Sequence, residues 1–479
     1  MAHFHQEPYL VLAGLTHERA LVAWGSFFFK VSGQLVDGRF KLIEDSDLSA
    51  INPPRQSTIG ESSSWYGPAR VLIKRKGVAE AAREFTVSGQ TPATRVNHAW
   101  LEGLEPQTTY EYQVFVNNEP WAEFERRDWV FRNNQQGMFL NGKRYVNEFT
   151  TYPRPEATTP NFAFAVIGDH GWGVRKPSDA ERRQREIAEA LEVAVQTKGV
   201  RFVLTTGDHI YGKRDLFGLH DSGNEDSDWF FTHYQPYRYI LNQTPFYPAC
   251  GNHDTSETEH SDDYDQMLDN FYIRERFLSS SRDEGEAVKE KGLFYHFRFG
   301  RDCEFISIDS ARPDSNPSTP RAFQQPLNQQ TLAQWLPPVT GAPAVWRIPF
   351  FHHPPYVDGP TKNNDPAAQQ HLVTRFFEPG GVRLVFNGHE HNFQVARHNK
   401  IHYVLSGAAG DLRAGALRGE SAAHNIAWAP KHHFLLVEYR NGAMHITPYG
   451  ELQNGQLTPV QVTPMNGSGV ASPLKVSLV

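Results

Sequence analysis

The spacing of hydrophobic and polar residues changes near residue 155. Before that point, short alternating stretches such as 71–76 and 110–116 predict strands, and no long helical period is present. After it, the continuous apolar run at 162–167 predicts a strand that is buried on both faces. Apolar residues at helical spacing, among them Ile187 and Leu191, then predict a helix over 179–198.

Alternating strands and helices predict an α/β domain with crossover connections. A linker rich in Pro and Thr at 151–160 separates two regions, an all-β domain at 1–155 and an α/β domain at 160–451. Residues 452–479 are rich in Gly, Pro, Gln, Thr and Ser, which predicts a loosely held tail. Further strands of the α/β domain are predicted at 201–205, 246–249, 293–299, 304–308, 345–351, 382–386 and 401–405.

The N-terminal domain has one specific sequence feature, which is Tyr110 at the start of a strand, just after a turn that contains Pro106. This is the setting of a tyrosine corner, in which the hydroxyl bonds to upstream backbone in a β-sandwich. The run resembles the corner of fibronectin type III domains. The alternative is an ordinary Tyr-rich hairpin. The polar segment 117–145 is predicted to be a long hairpin or loop.

Polar side chains follow five of the predicted strands. In open α/β sheets, ligands bind beyond the carboxyl ends of the strands, so these side chains are expected to converge on one site. A glycine before the ligand is expected to let the backbone turn sharply away from the strand. The five strand ends are Gly168-Asp169-His170-Gly171, Gly207-Asp208-His209-Ile210-Tyr211, Gly251-Asn252-His253-Asp254, His352-His353-Pro354-Pro355-Tyr356 and Gly388-His389-Glu390-His391.

These side chains predict a site for two metal ions. Carboxylate, amide and imidazole ligands without thiolate suit iron, zinc or manganese. The two cysteines exclude a disulfide scaffold and a Cys-rich zinc site, and both are predicted to be free, with a single bridge as the alternative. Seven candidates are too many for one tetrahedral ion, whereas two ions that share a carboxylate can clamp an in-line displacement at phosphorus. The candidates are Asp169, Asp208, Tyr211, Asn252, His352, His389 and His391.

This motif set resembles that of the calcineurin-like metallophosphoesterases over about residues 160–450. Tyr211, three residues after Asp208, is similar to the purple acid phosphatase branch, and the N-terminal β-domain resembles its large two-domain plant-type members. The resemblance implies a β-sandwich of mixed sheets flanked by helices. It also implies that the chain is a hydrolase, specifically a metallophosphatase of the acid phosphatase class that acts on small phosphate esters.

The resemblance assigns a role to each metal ligand. Asp208 would bridge both ions, and the first would be Fe(III), to which the Tyr211 phenolate would give a purple colour. The second would be Fe(II), Zn or Mn. The alternative is that Tyr211 is a core residue in a colourless phosphodiesterase-type enzyme. The first ion would be completed by Asp169, Tyr211 and His391, and the second by Asn252, His352 and His389.

The predicted reaction is hydrolysis of phosphate monoesters by metal-bound hydroxide. His253 is interpreted as the group that protonates or hydrogen-bonds the leaving oxygen, with Asp254 orienting it. The alternative activity on the same site is that of a phosphodiesterase or nucleotide phosphohydrolase. An alternative from another class is a binding protein with a degenerate metal site, which the full set of seven ligand positions disfavours.

Several histidines near the motifs have open roles. His352 is favoured over His353 as the ligand, and His353 is then structural or lines the pocket. His170 is interpreted as substrate-facing or as a residue behind the ligands, and His209 as a packing residue. The phosphate-contacting histidines of the family are not matched after Tyr356, where Lys362 or His371 are candidates to replace them.

Charge and hydropathy limit the partners. The formal net charge of -7 argues against a nucleic-acid surface, which requires a basic face. No apolar run reaches the ~18 residues of a membrane span. The N-terminus has no basic segment followed by a secretory apolar core. As written, the sequence therefore predicts a soluble cytoplasmic protein, or an exported one if a signal peptide has been removed, and it does not predict an oligomeric state.

Overall fold

A computed structural model of the chain shows two compact units, each with its own sheets. The first contains the described residues up to Tyr152 and the described part of Asn224–Pro245, and the second contains the rest. The structure describes residues 3–31, 66–92, 97–121, 126–128, 140–143, 145–171, 179–211, 229–255, 263–277, 292–312, 319–413, 415–469 and 472–478.

The first unit is rich in antiparallel strands, as its alternating sequence predicts. One sheet has the order β1-β2-β5, and another has the order β10-β6-β3-β4 with β7 added beside β6. Strands β8 and β9 pair separately. Two short helical segments, Phe230–Tyr234 and Arg238–Leu241, also belong to this unit. The strands are β1 (His3–Leu15), β2 (Ala20–Val31), β3 (Tyr66–Arg75), β4 (Arg83–Pro92), β5 (Asn97–Leu101), β6 (Thr109–Val116), β7 (Glu119–Pro120), β8 (Arg126–Asp128), β9 (Leu140–Lys143) and β10 (Glu148–Thr150).

The bond expected of a tyrosine corner is present at Tyr110. The backbone N–H of Glu105 donates to the Tyr110 hydroxyl at 2.9 Å, and the ring is buried. Alternate residues of β6 are buried, so one face of this strand packs on a core and the other is more exposed. The resemblance to fibronectin type III domains stays a prediction. Much of the predicted loop at 117–145 lies outside the described residues, and β7 to β9 fall within it.

The second unit is built on two mixed sheets. The six-stranded sheet has the order β13-β12-β11-β21-β22-β24, in which β11, β12 and β13 are parallel. The eight-stranded sheet has the order β14-β15-β16-β17-β19-β18-β20-β23, with β15, β16, β17 and β19 parallel. The strands are β11 (Phe162–Ile167), β12 (Val200–Thr205), β13 (Phe246–Pro248), β14 (Tyr295–Phe299), β15 (Cys303–Ser307), β16 (Trp346–Phe350), β17 (Leu384–Asn387), β18 (Phe393–His398), β19 (Ile401–Ser406), β20 (Asn425–Ala429), β21 (Phe434–Arg440), β22 (Ala443–Tyr449), β23 (Thr463–Pro464) and β24 (Leu474–Ser477).

Phenylalanine side chains fill the space between these two sheets. Phe164 and Phe202 project from the six-stranded sheet and meet Phe305 of the eight-stranded sheet at centroid distances of 5.1 and 5.0 Å. Phe386 makes an edge contact with Phe164 from the same side as Phe305. All four are fully buried, and their spacing is typical of favourable aromatic pairs. The sheets therefore form a sandwich, which fixes the strand ends that carry the site.

Helices cover the outer faces of the sandwich. The helix Asp179–Lys198 buries an apolar stripe that includes Ile187 and Leu191 against the six-stranded sheet. On the far face of the eight-stranded sheet, Ile306 and Val385 pack with Phe376 of the helical segment Gln369–Phe377. The predicted β-sandwich flanked by helices is confirmed. The remaining helical segments of the unit are Asn252–Asp254, Asp263–Asn270, Ile273–Phe277, Ala322–Gln324, Pro326–Trp335, Pro366–Ala368 and Ser421–Ala423.

The segment after residue 451 differs from the expectation of a loosely held tail. Strand β24 pairs antiparallel with β22, and Leu474 and Val476 are buried. Alternating apolar residues in this short stretch extend the six-stranded sheet, a period-two signal that the surrounding Gly and Pro residues obscure in the sequence. Cys250 and Cys303 are both free and buried, as predicted. Within the described chain, every helix is too short or too polar to cross a bilayer.

Candidate metal centre

The structure brings the five predicted strand ends together at one end of the sandwich in the second unit. Asp169, Asp208 and Asn252 follow the parallel strands β11, β12 and β13 of one sheet. His352 and His389 follow β16 and β17 of the other sheet. The site therefore spans the carboxyl edges of both sheets, and its ligands come from segments that are far apart in sequence.

Three potential ligands surround the Tyr211 hydroxyl, which is itself a fourth. It lies 3.1 Å from Asp169 Oδ1, 3.0 Å from Asp208 Oδ2 and 3.0 Å from His391 Nε2. One hydroxyl proton can satisfy only one of these acceptors, so hydrogen bonding alone does not account for the cluster. A metal ion, by contrast, binds several such lone pairs at once.

A second group of ligand atoms surrounds His352 Nε2. It lies 3.0 Å from Asn252 Oδ1, 3.0 Å from His389 Nδ1 and 3.3 Å from Asp208 Oδ2. Asp208 Oδ2 therefore belongs to both groups. Ligand atoms at about 2 Å from one ion lie about 3 Å from each other, so both groups fit a metal ion. The two groups together contain the seven candidate side chains, and Asp208 is common to both.

The imidazole rings are oriented so that Nε2 can act as a ligand. The Nδ1 atom of His352 lies 2.8 Å from the carbonyl oxygen of Thr206, which can only accept, so Nδ1 carries the proton. The Nδ1 atom of His391 lies 3.2 Å from Asp411 Oδ2 in the same arrangement. Such partners behind the ligands fix the tautomer and the plane of a metal-binding ring.

The charges of the cluster compensate each other strongly. Burial raises the pKa of Asp208, but the neighbouring His352 and His253 outweigh it and hold this pKa well below its usual range. Burial alone would lower the pKa of His352, but the nearby Asp208 carboxylate raises it, and the net value is about 9. Burial, together with Asp169 and Asp208, raises the pKa of Tyr211 well above its usual value. A phenolate at Tyr211 therefore requires a cation beside it.

Three ligand residues have a left-handed backbone. The φ angles are 53° at Asp169, 53° at Asp208 and 76° at His389. The sharp turn that was assigned to the preceding glycine thus occurs in the ligand residue itself, and Gly207 is the one preceding glycine of the four motifs with a positive φ. Residues of this kind cost about 1–3 kcal/mol each and persist where the surrounding structure enforces them.

Two of the other preceding glycines, Gly251 and Gly388, are required because a side chain would not fit at their positions. A Cβ on Gly251 would lie 2.1 Å from the backbone nitrogen of Asp208, and one on Gly388 would lie 2.5 Å from Asp169 Oδ2. Both distances are far below a van der Waals contact. The glycines therefore allow neighbouring strand ends to approach each other closely enough to share ligands.

Asp254 does not have the partner that the sequence predicts. Its carboxylate accepts the backbone N–H groups of Gly251, Asp208 and His209, and it lies 2.8 Å from His209 Nδ1. The side chain is a buried scaffold that ties the end of β13 to the end of β12. The ring of His253 instead packs on Tyr211 at 4.5 Å, and its backbone N–H donates to Asp208 Oδ1 at 2.9 Å.

The remaining histidines lie at or behind the cluster. His353 is buried with its ring 4.3 Å from His389, and its ligand atom is close enough to those of His352 and His389 to share an ion. Its Nδ1 atom lies 3.2 Å from Ser310 Oγ. His170 is fully buried and packs edge-on against His209, which places it beneath the ligands and not at an open surface.

Two cations frame the cluster. Burial and the neighbouring histidines hold the pKa of His353 and of His389 well below the usual value. The positive charge of Lys362 lowers both pKa values further. Arg413 donates to the carbonyl oxygen of His389 at 2.7 Å. The buried carboxylate of Glu390 accepts the backbone N–H of Lys362 at 2.6 Å, which anchors the loop beside the ligands.

The sequence interpretation missed Asp411, Arg413 and Glu390. Asp411 follows β19 in the run Gly407-Ala408-Ala409-Gly410-Asp411, which repeats the pattern of strand, glycine and carboxylate seen at the other strand ends. That signal was available in the sequence. Glu390 was hidden between two ligands of one motif, and a single charged residue there has no distinctive pattern.

Known proteins are similar to this chain in sequence. Residues 162–393 match the model of the calcineurin-like phosphoesterase family. Tartrate-resistant acid phosphatase type 5 of mouse is 28% identical over 269 residues, which are 53% of this chain and 73% of that protein. The rabbit protein of the same name is 26% identical over 277 residues, 53% of this chain and 75% of its own length.

Solved structures show the same fold over most of the chain. The purple acid phosphatase PPD1 of yellow lupin has a TM-score of 0.59 and 14% identity, covering 95% of this chain and 74% of that one. PhoD has a TM-score of 0.57 and 12% identity, covering 95% and 88%. Residues 162–393 thus form a calcineurin-like phosphoesterase domain. The chain is homologous to proteins named tartrate-resistant acid phosphatase, which confirms the resemblance expected from the sequence.

Replacing Asp411 with Asn should weaken the metal centre without unfolding the protein. The neutral amide no longer fixes the Nδ1 proton of His391, and loss of such a partner lowers metal affinity or activity about 10–100-fold. The measurement is metal content per chain by elemental analysis, with the melting temperature alongside. Glu189→Gln removes an exposed carboxylate of the same unit and is the control. Equal metal content in both variants would contradict the role of Asp411.

Proposed function

We propose that this chain is a purple acid phosphatase-type enzyme that hydrolyses phosphate monoesters at a dinuclear metal centre. The observation that supports this most directly is Asp208 Oδ2, which lies 3.0 Å from the Tyr211 hydroxyl and 3.3 Å from His352 Nε2. One carboxylate oxygen shared by two ligand groups is what a pair of bridged ions requires. Homology to proteins named acid phosphatases supports the monoester as substrate.

The residues of the chain would divide into holding and orienting groups. When bound, the two ions would acidify a water molecule and offset negative charge on the phosphoryl oxygens. Asp208 would hold both ions, while the Thr206 carbonyl and Asp411 keep the rings of His352 and His391 in the ligating tautomer. His353 lies close enough to His389 to bind either an ion or the substrate phosphate.

The activity is tested on matched substrates. The purified holoprotein is expected to cleave a 4-nitrophenyl monoester much faster than the corresponding bis(4-nitrophenyl) diester, because the site offers cations to a dianionic phosphate. Prolonged chelation should abolish turnover, and added metal should restore it. A preference for the diester would instead assign the chain to the phosphodiesterase alternative, and activity that survives complete metal removal would refute the metal centre.

Tyr211 is proposed to bind Fe(III) as a phenolate. Burial and two carboxylates raise its pKa, so the phenolate depends on a strongly charged ion beside it. The holoprotein should therefore show a violet absorption band and contain iron by elemental analysis. Tyr211→Phe should lose the band while the far-ultraviolet circular dichroism stays unchanged. A colourless, fully active wild type would exclude the iron assignment while leaving the dinuclear site standing.

His253 is proposed to assist the leaving oxygen. Its backbone is fixed by Asp208 and its ring packs on Tyr211, so the imidazole lies beside the ligands without being one of them. His253→Ala should slow alkyl monoesters, whose leaving groups need a proton, by about 10²–10⁴-fold. Turnover of 4-nitrophenyl phosphate should change much less, and metal content should be unchanged. An equal loss for both leaving groups would contradict proton donation.

Lys362 is proposed to bind the substrate phosphate in place of the family's unmatched histidines. Glu390 anchors its backbone, and its charge is felt by His353 and His389, whereas the carbonyl of His371 is bonded to Gln329 in another part of the unit. Lys362→Ala should raise KM about tenfold, the value of one charged hydrogen bond. Lys198→Ala, an exposed cation at a helix end, is the control. An unchanged KM would exclude Lys362 from substrate binding.

A further inference from the structure

A second feature of the α/β unit lies at the opposite edge of its eight-stranded sheet. A groove of about 690 Å³ is present where β17 and β19 begin, whereas the metal ligands follow the ends of the strands. Strand β24 of the six-stranded sheet forms another part of its wall. The groove is therefore separate from the metal centre in the topology of the sandwich. Its charged lining residues are Arg383, Arg397, Lys400 and Lys475.

The charge of this groove is unbalanced. Four cationic side chains line it, and no Asp or Glu is among the lining residues that the structure describes. Within the described chain none of the four forms an ion pair with a carboxylate, whereas Arg183, Arg274, Arg321 and Arg418 of the same unit each do. The chain as a whole has a formal net charge of -7, so this positively charged cluster is opposite in sign to the protein as a whole. Cations gathered in a concave surface concentrate anions there.

A neutral hydrogen-bonding group lies among these cations. His402 lines the groove, and its Nδ1 atom is buried without a hydrogen-bond partner in the described part of the chain. Burial and the charge of Arg397 lower the pKa of His402 to about 4, so the ring is uncharged near neutral pH. The ring therefore adds no positive charge, and the four cations alone set the sign of the charge in the groove.

We propose that this groove is a binding site for a small polyanion, in particular one that carries several phosphate groups. Four unpaired cations match several negative charges better than a single monoanion. The lining residues include no Phe, Tyr or Trp, so the groove offers no surface on which a nucleobase would stack. The ligand chemistry is therefore oligophosphate, supplied either as an inorganic chain or on a small polyol. This site goes beyond the proposed function and does not depend on it.

The test is calorimetric titration of the full-length holoprotein with two non-hydrolysable or slowly hydrolysed probes. Methylenediphosphonate represents an inorganic oligophosphate, and inositol hexakisphosphate represents a phosphorylated polyol. The Ki for competitive inhibition of catalysis measures binding at the metal centre independently. The groove should add a second event whose affinity differs from that Ki and falls as salt is raised. The probe that binds more tightly identifies the source of the phosphate groups.

A double variant and a charge-matched control test whether the second binding event takes place in the groove. Arg397→Ala combined with Lys475→Ala should weaken the second event by tenfold or more, because each removes a charged contact. Arg375→Ala combined with Lys198→Ala removes the same charge from exposed sites elsewhere on the unit, and should leave both events intact. Turnover and melting temperature should match wild type in both.

Three results would overturn the proposal. The first is a single binding event in wild type with an affinity equal to the catalytic Ki. The second is an unchanged second event in the groove variant. The third is an equal loss in the control variant, which would indicate diffuse surface charge. An inactive or metal-free protein that still binds one probe at the groove would refute the proposed function alone, so the two failures are distinguishable.

Discussion

The second unit depends on one buried carboxylate, that of Asp208. Its Oδ2 atom lies within about 3 Å of both ligand groups, while Oδ1 accepts the backbone N–H of His253. The backbone of Asp208 is in turn held by Asp254, which also bonds the backbone of Gly251. A charged group in such a place is stable only when opposite charges and donors surround it. The strand ends around it are positioned to meet that requirement.

This requirement explains the unusual backbone at the site. Asp169, Asp208 and His389 adopt a left-handed conformation, each immediately after a glycine. The aromatic core between the sheets supplies the rigidity that such strain needs, since Phe164 and Phe202 belong to the strands that end at Asp169 and at Asp208. The packed core of the sandwich therefore holds the strand ends in place, together with the strained residues that follow them.

The seven candidate ligands could be predicted because an apolar strand that ends in a short polar motif is a local pattern, whereas the β-sandwich was expected only from the family resemblance. The sequence predicted less well what depends on contacts between distant segments. Asp254 was paired with its neighbour His253, whereas its true partner His209 lies on another strand end. Asp411 lies behind a ligand that is 20 residues away in sequence. The short strand β24 was read as a tail because its pairing partner supplies much of its order.

The buried carboxylate of Glu390 constrains the sequence of a neighbouring loop. This carboxylate joins the two histidines that flank Glu390 to the backbone of Thr361 and Lys362 on a separate loop. One side chain therefore links the candidate metal ligands to the loop that is proposed to bind the substrate. Two amide hydrogens of this loop face Glu390. A proline at position 361 or 362 would remove one of them, so side chains in this loop can change more freely than its main chain.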